Sequence, residues 1–407
     1  MKQVVASLSI GWFDFFYYKE IEPQKKAATV HELGKGRSLF QLIDRKKFDA
    51  LVLKRGVDKG VRNFSTWEMT QALLCCFTLR LGSFREVEKA LKVPDSTFGD
   101  ALRERHFGFF QELCDLVLLE IRARTENRKN KKAIRQILAI DSSDIRVHGS
   151  LFDRPGWKQK YTINHQASAK LHVVWNVNGD WIEDFLATPG RQGDSPVSLR
   201  LRLLQGKMYV FDRAYNDFNF WEKIVHVGSD FVTRLKTSPR NRVLEKKVRR
   251  GKKDKCGVLY DGIFHSTSLA AKKSKIKLRH VIYRDKLTEK IFHFVTSDRK
   301  ATAQAITQIY KRRWAVELLF RWLKGHLNIR YLPAKTPNSI QTLLAATVLF
   351  QLLLQLKKMI DGFQGTLWDL LRDIRTTFIR KILMESDSPG DCRWSPLPEA
   401  SLTSRGS

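Results

Sequence analysis

Apolar residues recur at helical spacing between Phe64 and about Ala123, and helix-start signals divide this stretch. In each signal a Ser or Thr is followed three residues later by an acid: Ser65 with Glu68, Ser83 with Glu86, and Thr97 with Asp100. They predict three short helices joined by short turns. These helices, which carry Arg103, Arg105 and His106, form either a helix-turn-helix-like DNA reader or a plain helical bundle with solvated charges.

Beyond a basic stretch at 122–132, the pattern changes to β-strands, so we expect a domain boundary there and a helical N-terminal region at 1–125. The predicted strands cover 137–140, 170–177, 181–186, 207–211 and 230–235, and a helix is predicted at 196–204. Asn178-Gly179 separates two of these strands and is a strong hairpin signal. The order predicts a mixed sheet with helices on its faces, which is an α/β fold.

Residues 236–300 interrupt that plan and predict a β-rich insertion, with strand-like pieces around Tyr260, at 279–283 and at 290–296. The insertion also carries an exposed basic loop at 246–253. A long helix is predicted from Thr302 to about Asn328, and an apolar helix from Ser339 to Ile360. The most apolar part of the latter is too short for a membrane span, so we expect a core helix. The tail at 386–407 is rich in Ser, Pro and Gly, and we expect it to be disordered.

Charge changes this picture more than any other bulk property. The chain has 407 residues with 73 Lys and Arg against 42 Asp and Glu, a net charge of +31. Such an excess favours a polyanionic partner, nucleic acid first and an anionic membrane surface second. A hydrophobic content of 43% excludes a disordered basic tail and indicates a folded protein. The five cysteines are odd in number and show no C-x-x-C spacing, which points to a reducing compartment.

Two acidic residues stand out because each follows a short apolar strand. Asp141 follows 137–140 and Asp212 follows 207–211, and the carboxyl ends of strands are where open α/β sheets place their reacting groups. An acid after a strand is also a common turn or cap residue. Asp144 competes with Asp141 for the role, and Asp194 is a candidate for a supporting one.

The long helix supplies a third carboxylate. At about 100° per residue, Tyr310, Arg313, Glu317 and Lys324 fall on one narrow stripe, while apolar residues cover the rest of the helix. The stripe is either a functional surface or a solvated face with i,i+4 ion pairs. Three carboxylates, Asp141, Asp212 and Glu317, would suffice for hard Mg²⁺ ions, and the neighbouring cations would bind DNA phosphates.

The spacing of these four helix residues resembles the Y-x2-R-x3-E-x6-K signature of the bacterial DDE transposases of the insertion-sequence-four family. This resemblance covers most of the chain. It implies an RNase H-like catalytic domain at 133–384 with a β-strand insertion at 236–300, preceded by a small all-α N-terminal domain that recognises DNA ends. By position it implies that Asp141, Asp212 and Glu317 hold two Mg²⁺ ions, for which Mn²⁺ substitutes, and that Tyr310, Arg313 and Lys324 contact phosphates.

The reaction so implied is hydrolytic nicking at the ends of the element, followed by attack of a 3′-hydroxyl on target DNA. We expect double-stranded DNA as partner, a homodimer in the DNA complex, no membrane, and a bacterial cytoplasmic, nucleoid-associated location. The rival readings are an inert transposase-derived DNA-binding protein and an RNase H-like nuclease without strand transfer.

One feature departs from the family pattern. In some relatives a Trp of the insertion stabilises a flipped base, but this chain has no Trp between Trp221 and Trp314. The aromatic residues that remain as stacking candidates are Tyr260, Phe264, Tyr283, Phe292 and Phe294.

Overall fold

Within the part of the chain that the structure describes, five α-helices precede the first strand. The structure is a computed structural model and describes residues 38–126, 135–158, 166–235, 257–264, 273–274, 276–285 and 287–386. The helices are α1 (Arg45–Arg55), α2 (Thr66–Leu79), α3 (Phe84–Leu91), α4 (Asp95–Glu104) and α5 (Gly108–Glu126). The helical expectation for this stretch is therefore confirmed, with four helices between Phe64 and Ala123 where three were predicted.

The capping signals explain where these helices begin. Ser65 and Glu68 form a complete capping box at the start of α2, and the Ser83 hydroxyl accepts a hydrogen bond from the Glu86 amide at 3.2 Å. The third predicted start, at Thr97, is wrong. The helix α4 begins at Asp95 because Pro94 is its cap residue, and Thr97 lies inside the first turn.

Arg105, one of the cations offered for DNA reading, has a structural place. Its side chain is buried, and its guanidinium donates to the Phe64 carbonyl and lies 3.4 Å from Asp58. This residue cannot contact DNA without unfolding its surroundings. Arg103 is exposed and pairs with Asp100 at 3.1 Å.

The strands form one mixed sheet. They are β1 (Ile137–Val147), β2 (Ser168–Asn176), β3 (Trp181–Pro189), β4 (Met208–Phe211), β5 (Asp230–Arg234), β6 (Val258–Ile263), β7 (Arg279–Arg284), β8 (Ile291–Thr296) and β9 (Tyr331–Leu332). Their order across the sheet is β3-β2-β1-β4-β5-β8-β7-β6, and β9 pairs with β1. The predicted hairpin around Asn178-Gly179 is confirmed as the antiparallel pair β2–β3. The helix predicted at 196–204 is shorter, α6 (Asp194–Ser198).

The β-rich insertion is also confirmed, since β6, β7 and β8 lie within or close to its predicted strands. It extends the main sheet, because β8 pairs antiparallel with β5 from Val232 to Arg234. The basic loop at 246–253 lies outside the described residues, as does the tail beyond Ser386.

Two helices replace the single long helix predicted from Thr302 to Asn328. They are α8 (Ala303–Lys311) and α9 (Trp314–His326), with Arg312 and Arg313 between them. Here the amides of Arg312 and Arg313 bond to carbonyls three residues back, at Ile309 and Tyr310, which tightens the chain into a turn. Both residues keep right-handed helical backbone angles, so the chain continues in the same direction of turn. The spacing of apolar residues along the sequence therefore does not reveal the break.

The predicted core helix is confirmed as α10 (Pro337–Ile360), which α11 (Leu367–Ser386) follows. Among the described residues, α10 is the one helix that is long enough and apolar enough to cross a membrane. Nearly all of its apolar part is buried inside the protein. It belongs to a hydrophobic cluster that also includes Phe77 of α2, Val117 of α5 and Val173 of β2. The helices before the sheet and the sheet itself therefore share one core. The domain boundary at 125–133 stays a prediction.

A second, smaller cluster lies on the other face of the sheet. Leu138, Ile140 and Phe211 point into it, and the helix α7 (Phe218–His226) covers it with Phe220 and Trp221. The sheet is thus covered on both faces, and the parallel strands β1, β4 and β5 lie at its centre.

Candidate active site

Strand register brings Asp141 and Asp212 side by side. Strands β1 and β4 run parallel, and their last paired residues are Ile140 and Phe211. The next residue on each strand is the predicted carboxylate, at the point where the two chains separate. The Asp212 side chain caps a short 3₁₀ turn by accepting a hydrogen bond from the Ala214 amide at 2.6 Å.

The prediction that β1 ends at Asp141 is wrong. The strand continues to Val147, because it stays paired with β2 and its far end pairs with the short strand β9 at Arg146. Asp141 therefore lies within a strand that stays paired with β2 on both sides of it, which fixes its backbone more firmly than a strand terminus would.

Arg313 links Asp141 to Glu317. Its guanidinium lies 3.2 Å from the Asp141 carboxylate and also pairs with the Glu317 carboxylate one turn into α9. The Arg313 side chain is only 17% exposed. A single cation thus bridges two of the three predicted metal ligands and neutralises part of their charge.

The charges of Asp212 and Glu317 both act on Asp141. Burial raises the pKa of Asp141 from 3.8 to about 6, and the Arg313 cation and the Ser142 amide oppose this rise. The Asp212 and Glu317 charges raise the pKa of Asp141 further, so both lie close enough to act on it. Like charges held together at one sheet edge are costly unless a cation joins them.

Tyr310 also belongs to this site. Its ring packs on Phe294 with 4.9 Å between ring centroids, and the Arg313 guanidinium lies 6.0 Å from the Tyr310 centroid. Burial raises the pKa of the Tyr310 phenol, while the Arg313 and Arg234 cations oppose that rise. Two guanidinium groups, those of Arg313 and Arg234, therefore act on Tyr310.

Lys324 lies apart from the three carboxylates. Burial lowers the pKa of the Lys324 ammonium, and the carboxylate that opposes this change is Asp144. Lys324 follows Glu317 by seven residues, about 10 Å along α9 at 1.5 Å per residue. The stripe predicted on one helix is therefore divided between two positions along β1, with Arg313 beside Asp141 and Lys324 beside Asp144.

Arg234 is a candidate that sequence reasoning missed. It is the last residue of β5, its guanidinium lies 4.9 Å from the Phe292 centroid, and its charge acts on Tyr310. The strand-end signal that identified Asp212 applies equally to Arg234, because β4 and β5 are adjacent and parallel.

The stacking candidates of the insertion separate onto two faces. Phe292 and Phe294 stack on each other and lie on the side of Tyr310. Tyr260 and Phe264 instead contact His280, and Phe264 also contacts Trp221 in the second core. Tyr283 pairs across the strands with Phe292. Tyr283, Phe292 and Phe294 therefore lie on the same face of the sheet as Tyr310.

The donor chemistry of the site suits a hard divalent cation, since carboxylate oxygens are what Mg²⁺ prefers. Over the described ranges, no three His, Cys, Asp or Glu side chains lie close enough together to hold a metal ion. The Arg313 guanidinium lies between Asp141 and Glu317 and forms hydrogen bonds with both carboxylates.

Comparison with known families gives two matches. The model of the transposase DDE domain matches residues 132–353, which is more than half of the chain and includes β1, β4 and α9. A domain of unknown function, DUF4372, matches residues 37–97 and so covers α1 to α3.

Curated relatives carry consistent names. The chain is 28% identical over 273 residues to a putative transposase, y4zB, of Sinorhizobium fredii, covering 67% of this chain and 74% of that protein. It is 28% identical over 323 residues to a probable transposase for insertion sequence element IS5377 of Geobacillus stearothermophilus, covering 77% of this chain and 82% of the relative.

A solved structure shares the fold. The piggyBac transposase in its synaptic complex with hairpin DNA, determined by cryo-electron microscopy, matches with a TM-score of 0.50 at 11% identity. The match covers 87% of this chain and 82% of that one. The likeness confirms the RNase H-like α/β architecture predicted from the sequence.

Proposed function

Because the chain belongs to the transposase DDE domain family, we propose that it is the transposase of a bacterial insertion sequence, binds the terminal inverted repeats of that element, cleaves there by metal-dependent phosphodiester hydrolysis and joins the 3′-hydroxyl to target DNA. The observation that carries this proposal is the strand register that sets Asp141 beside Asp212, with Glu317 joined to Asp141 through Arg313. Membership of the insertion-sequence-four family is part of the proposal and rests on the spacing of Tyr310, Arg313, Glu317 and Lys324.

In this proposal Asp141, Asp212 and Glu317 hold two Mg²⁺ ions, or Mn²⁺ in their place. Bound metal would activate the attacking oxygen and stabilise the leaving one. The protein's own contribution is to hold three carboxylates on rigid elements, two on adjacent strands and one on a packed helix. Asp141 in particular is held within a strand that is paired with β2 on both sides of it.

Cationic side chains beside the carboxylates would bind the DNA backbone. Arg313 and Arg234 flank Tyr310, and Lys324 lies further along α9. A phosphate that accepts hydrogen bonds from Arg313 would compete with Asp141 and Glu317 for the guanidinium. DNA binding would in this way free the carboxylates for metal, and a site without DNA would stay neutralised.

Excision in vitro tests the assignment of Glu317. We expect Glu317→Gln to reduce strand cleavage by more than about 100-fold while DNA binding persists, because changes one shell further out already cost 10–100-fold. The assay uses purified protein, Mg²⁺ and a plasmid that carries a marker between the DNA segments flanking this gene. Glu120→Gln is the matched control, since Glu120 is exposed on α5 and pairs only with Arg124 in the described contacts.

The same assay separates the rival functions. Wild-type protein that binds the flanks without cutting would indicate an inert DNA-binding relative. Cleavage without joined products in the presence of target DNA would indicate a nuclease that lacks strand transfer. Cleavage retained by the Glu317→Gln variant would refute the role of that carboxylate.

Assembly and location complete the proposal. Pairing two ends requires two active sites in one complex, so we propose a homodimer on DNA that acts in the bacterial cytoplasm at the nucleoid. The helical region at 1–125 would recognise the DNA ends. Its contacts with DNA would come from exposed residues, since the Arg105 side chain is buried in the core.

A further inference from the structure

A polar cluster lies on the face of β1 opposite to Asp141. We call it the Ser142 cluster, and its members are Ser142, Lys170, His172, Asp194 and Tyr215. Ser142 and His172 are cross-strand partners in β1 and β2, so their side chains share one face. Successive strand residues point to opposite faces, which places Asp141 on the other.

One oxygen is the centre of this cluster. Oδ1 of Asp194 accepts a hydrogen bond from the Ser142 hydroxyl at 2.7 Å and lies 3.3 Å from the Lys170 ammonium. The His172 Nδ1 lies 3.6 Å from the same oxygen. His172 and Tyr215 are fully buried, and the Asp194 side chain is 18% exposed. Burial lowers the pKa of His172 to about 4, so the ring is neutral at neutral pH.

The cluster is joined to Asp141 through the backbone of Ser142. The Ser142 amide donates to Oδ1 of Asp141 at 2.8 Å, while Oδ2 of Asp141 faces Arg313. Ser142 is therefore fixed at its hydroxyl by Asp194 and fixes one carboxylate oxygen with its amide. The direction of the other oxygen follows, because the two oxygens of a carboxylate are rigidly connected.

The cluster also touches the turn that carries Asp212. Tyr215 ends the 3₁₀ turn capped by Asp212, and its hydroxyl lies 3.5 Å from Nδ1 of His172. The strand that carries Asp141 and the turn that carries Asp212 are thus both in contact with the Ser142 cluster. A cluster of this kind rigidifies its surroundings when its members are satisfied.

We propose that Ser142 and Asp194 are positioning residues, which hold the Asp141 carboxylate with one oxygen engaged and the other directed at the metal-binding side. This inference rests on the proposed function. It predicts that loss of the Ser142–Asp194 hydrogen bond weakens metal binding and slows cleavage, with no effect on DNA affinity, because neither residue faces the cationic side chains around Tyr310.

The test measures Mn²⁺ binding by electron paramagnetic resonance, with the flanking DNA present and the Mn²⁺ bound by that DNA alone subtracted. The variants are Ser142→Ala and Asp194→Asn, and Ser142→Thr retains the hydroxyl. Ser195→Ala is the matched control, because Ser195 donates to Asp217 at 2.9 Å in the same segment and has no recorded link to Asp141. Cleavage rate and DNA affinity are measured on the same samples.

We expect Ser142→Ala to weaken Mn²⁺ binding by about 10–100-fold, the usual effect of removing a group that orients a metal ligand. Ser142→Thr and Ser195→Ala should stay close to the wild type. Unchanged Mn²⁺ binding in Ser142→Ala, or an equal loss in Ser195→Ala, would overturn the inference. A wild type that binds Mn²⁺ but does not cut, with binding lost in Ser142→Ala, would support the positioning role and contradict the proposed function.

Discussion

At the scale of single residues, charge balance decides the state of the site. One guanidinium, Arg313, serves two carboxylates, and both it and Asp141 are largely shielded from water. The Tyr310, Glu317 and Asp141 groups raise the pKa of Arg313 against the burial that lowers it. The site therefore keeps its cation at neutral pH.

Substitution of Asp141 should increase stability at neutral pH. The pKa of Asp141 is about 6 in the folded chain against 3.8 ordinarily, so the folded state favours the protonated form and loses stability as the pH rises through 6. We expect Asp141→Asn to be more stable than the wild type at pH 7.5 by an amount on the order of 1–3 kcal/mol. The gain should shrink as the pH falls from 6 towards 4.

Urea unfolding at several pH values measures this effect. The control is Asp49→Asn, an exposed carboxylate on α1 that pairs with Arg45. A stability difference for Asp141→Asn that does not vary with pH would show that ionisation of this carboxylate costs the fold nothing.

At the scale of elements, α10 satisfies the turn of the β2–β3 hairpin. The Gln351 side chain accepts from the Ile182 amide at 3.2 Å and donates to the Asp180 carbonyl at 2.9 Å, and Gln355 donates to the Gly179 carbonyl at 2.7 Å. Packing of α10 against the hairpin shields these backbone groups from water. Gln351 and Gln355 supply the hydrogen-bond partners that the groups then need. This also explains why the apolar part of a helix that passes for a membrane span carries Gln351 and Gln355.

Replacement of Gln351 should destabilise the fold without touching the site. We expect Gln351→Leu to lower the free energy of unfolding by about 1–3 kcal/mol, because it removes the partner of the buried Ile182 amide and of the half-buried Asp180 carbonyl. Thermal and urea unfolding measure the change. Gln364→Leu is the control, since Gln364 is exposed and contacts only the Gly362 carbonyl in the described hydrogen bonds. Equal stability of the two variants would contradict the capping role.

Local signals in the sequence predicted the elements well and their junctions poorly. Asp141, Asp212 and Glu317 could be singled out because strand ends and helix faces follow from local periodicity. The extension of β1 beyond Asp141 depends on its partners β2 and β9, and helical spacing does not signal the break at Arg312–Arg313. The same limit applies to Arg105, whose burial against Asp58 is invisible in sequence.

At the scale of the whole molecule, the net charge of +31 governs encounter with DNA. Electrostatic attraction of this kind acts over distances set by the ionic strength and is independent of base sequence. The cations that matter most for affinity are those without an acidic partner beside them. Arg234 is of this kind among the described contacts, since its recorded neighbours are Phe292 and Tyr310.

End binding should weaken steeply with salt. A protein that contacts 6–10 phosphates loses about 10³–10⁵ in affinity between 50 and 200 mM salt. We expect Arg234→Gln to reduce the slope of log affinity against log salt by about one, the effect of losing one phosphate contact. Fluorescence anisotropy with labelled flanking DNA measures the slope.

Arg372→Gln is the control for this measurement, since Arg372 lies on α11 and pairs with Asp369 at 3.0 Å. A flat salt response of the wild type would count against recognition dominated by phosphates. An unchanged slope in Arg234→Gln would remove Arg234 from the DNA-binding surface.

The shared core around α10 has a consequence for how the chain is made. Residues of α2, α5 and β2 bury their apolar side chains in the same cluster as α10, which begins only at Pro337. Every one of these elements is therefore synthesised before the helix that completes its core. A premature stop codon before Pro337 would end translation early and yield a chain whose apolar surface stays exposed to water. Cellular proteases clear such a product. Truncated copies of the gene would thus leave no stable protein fragment that competes for the same DNA ends.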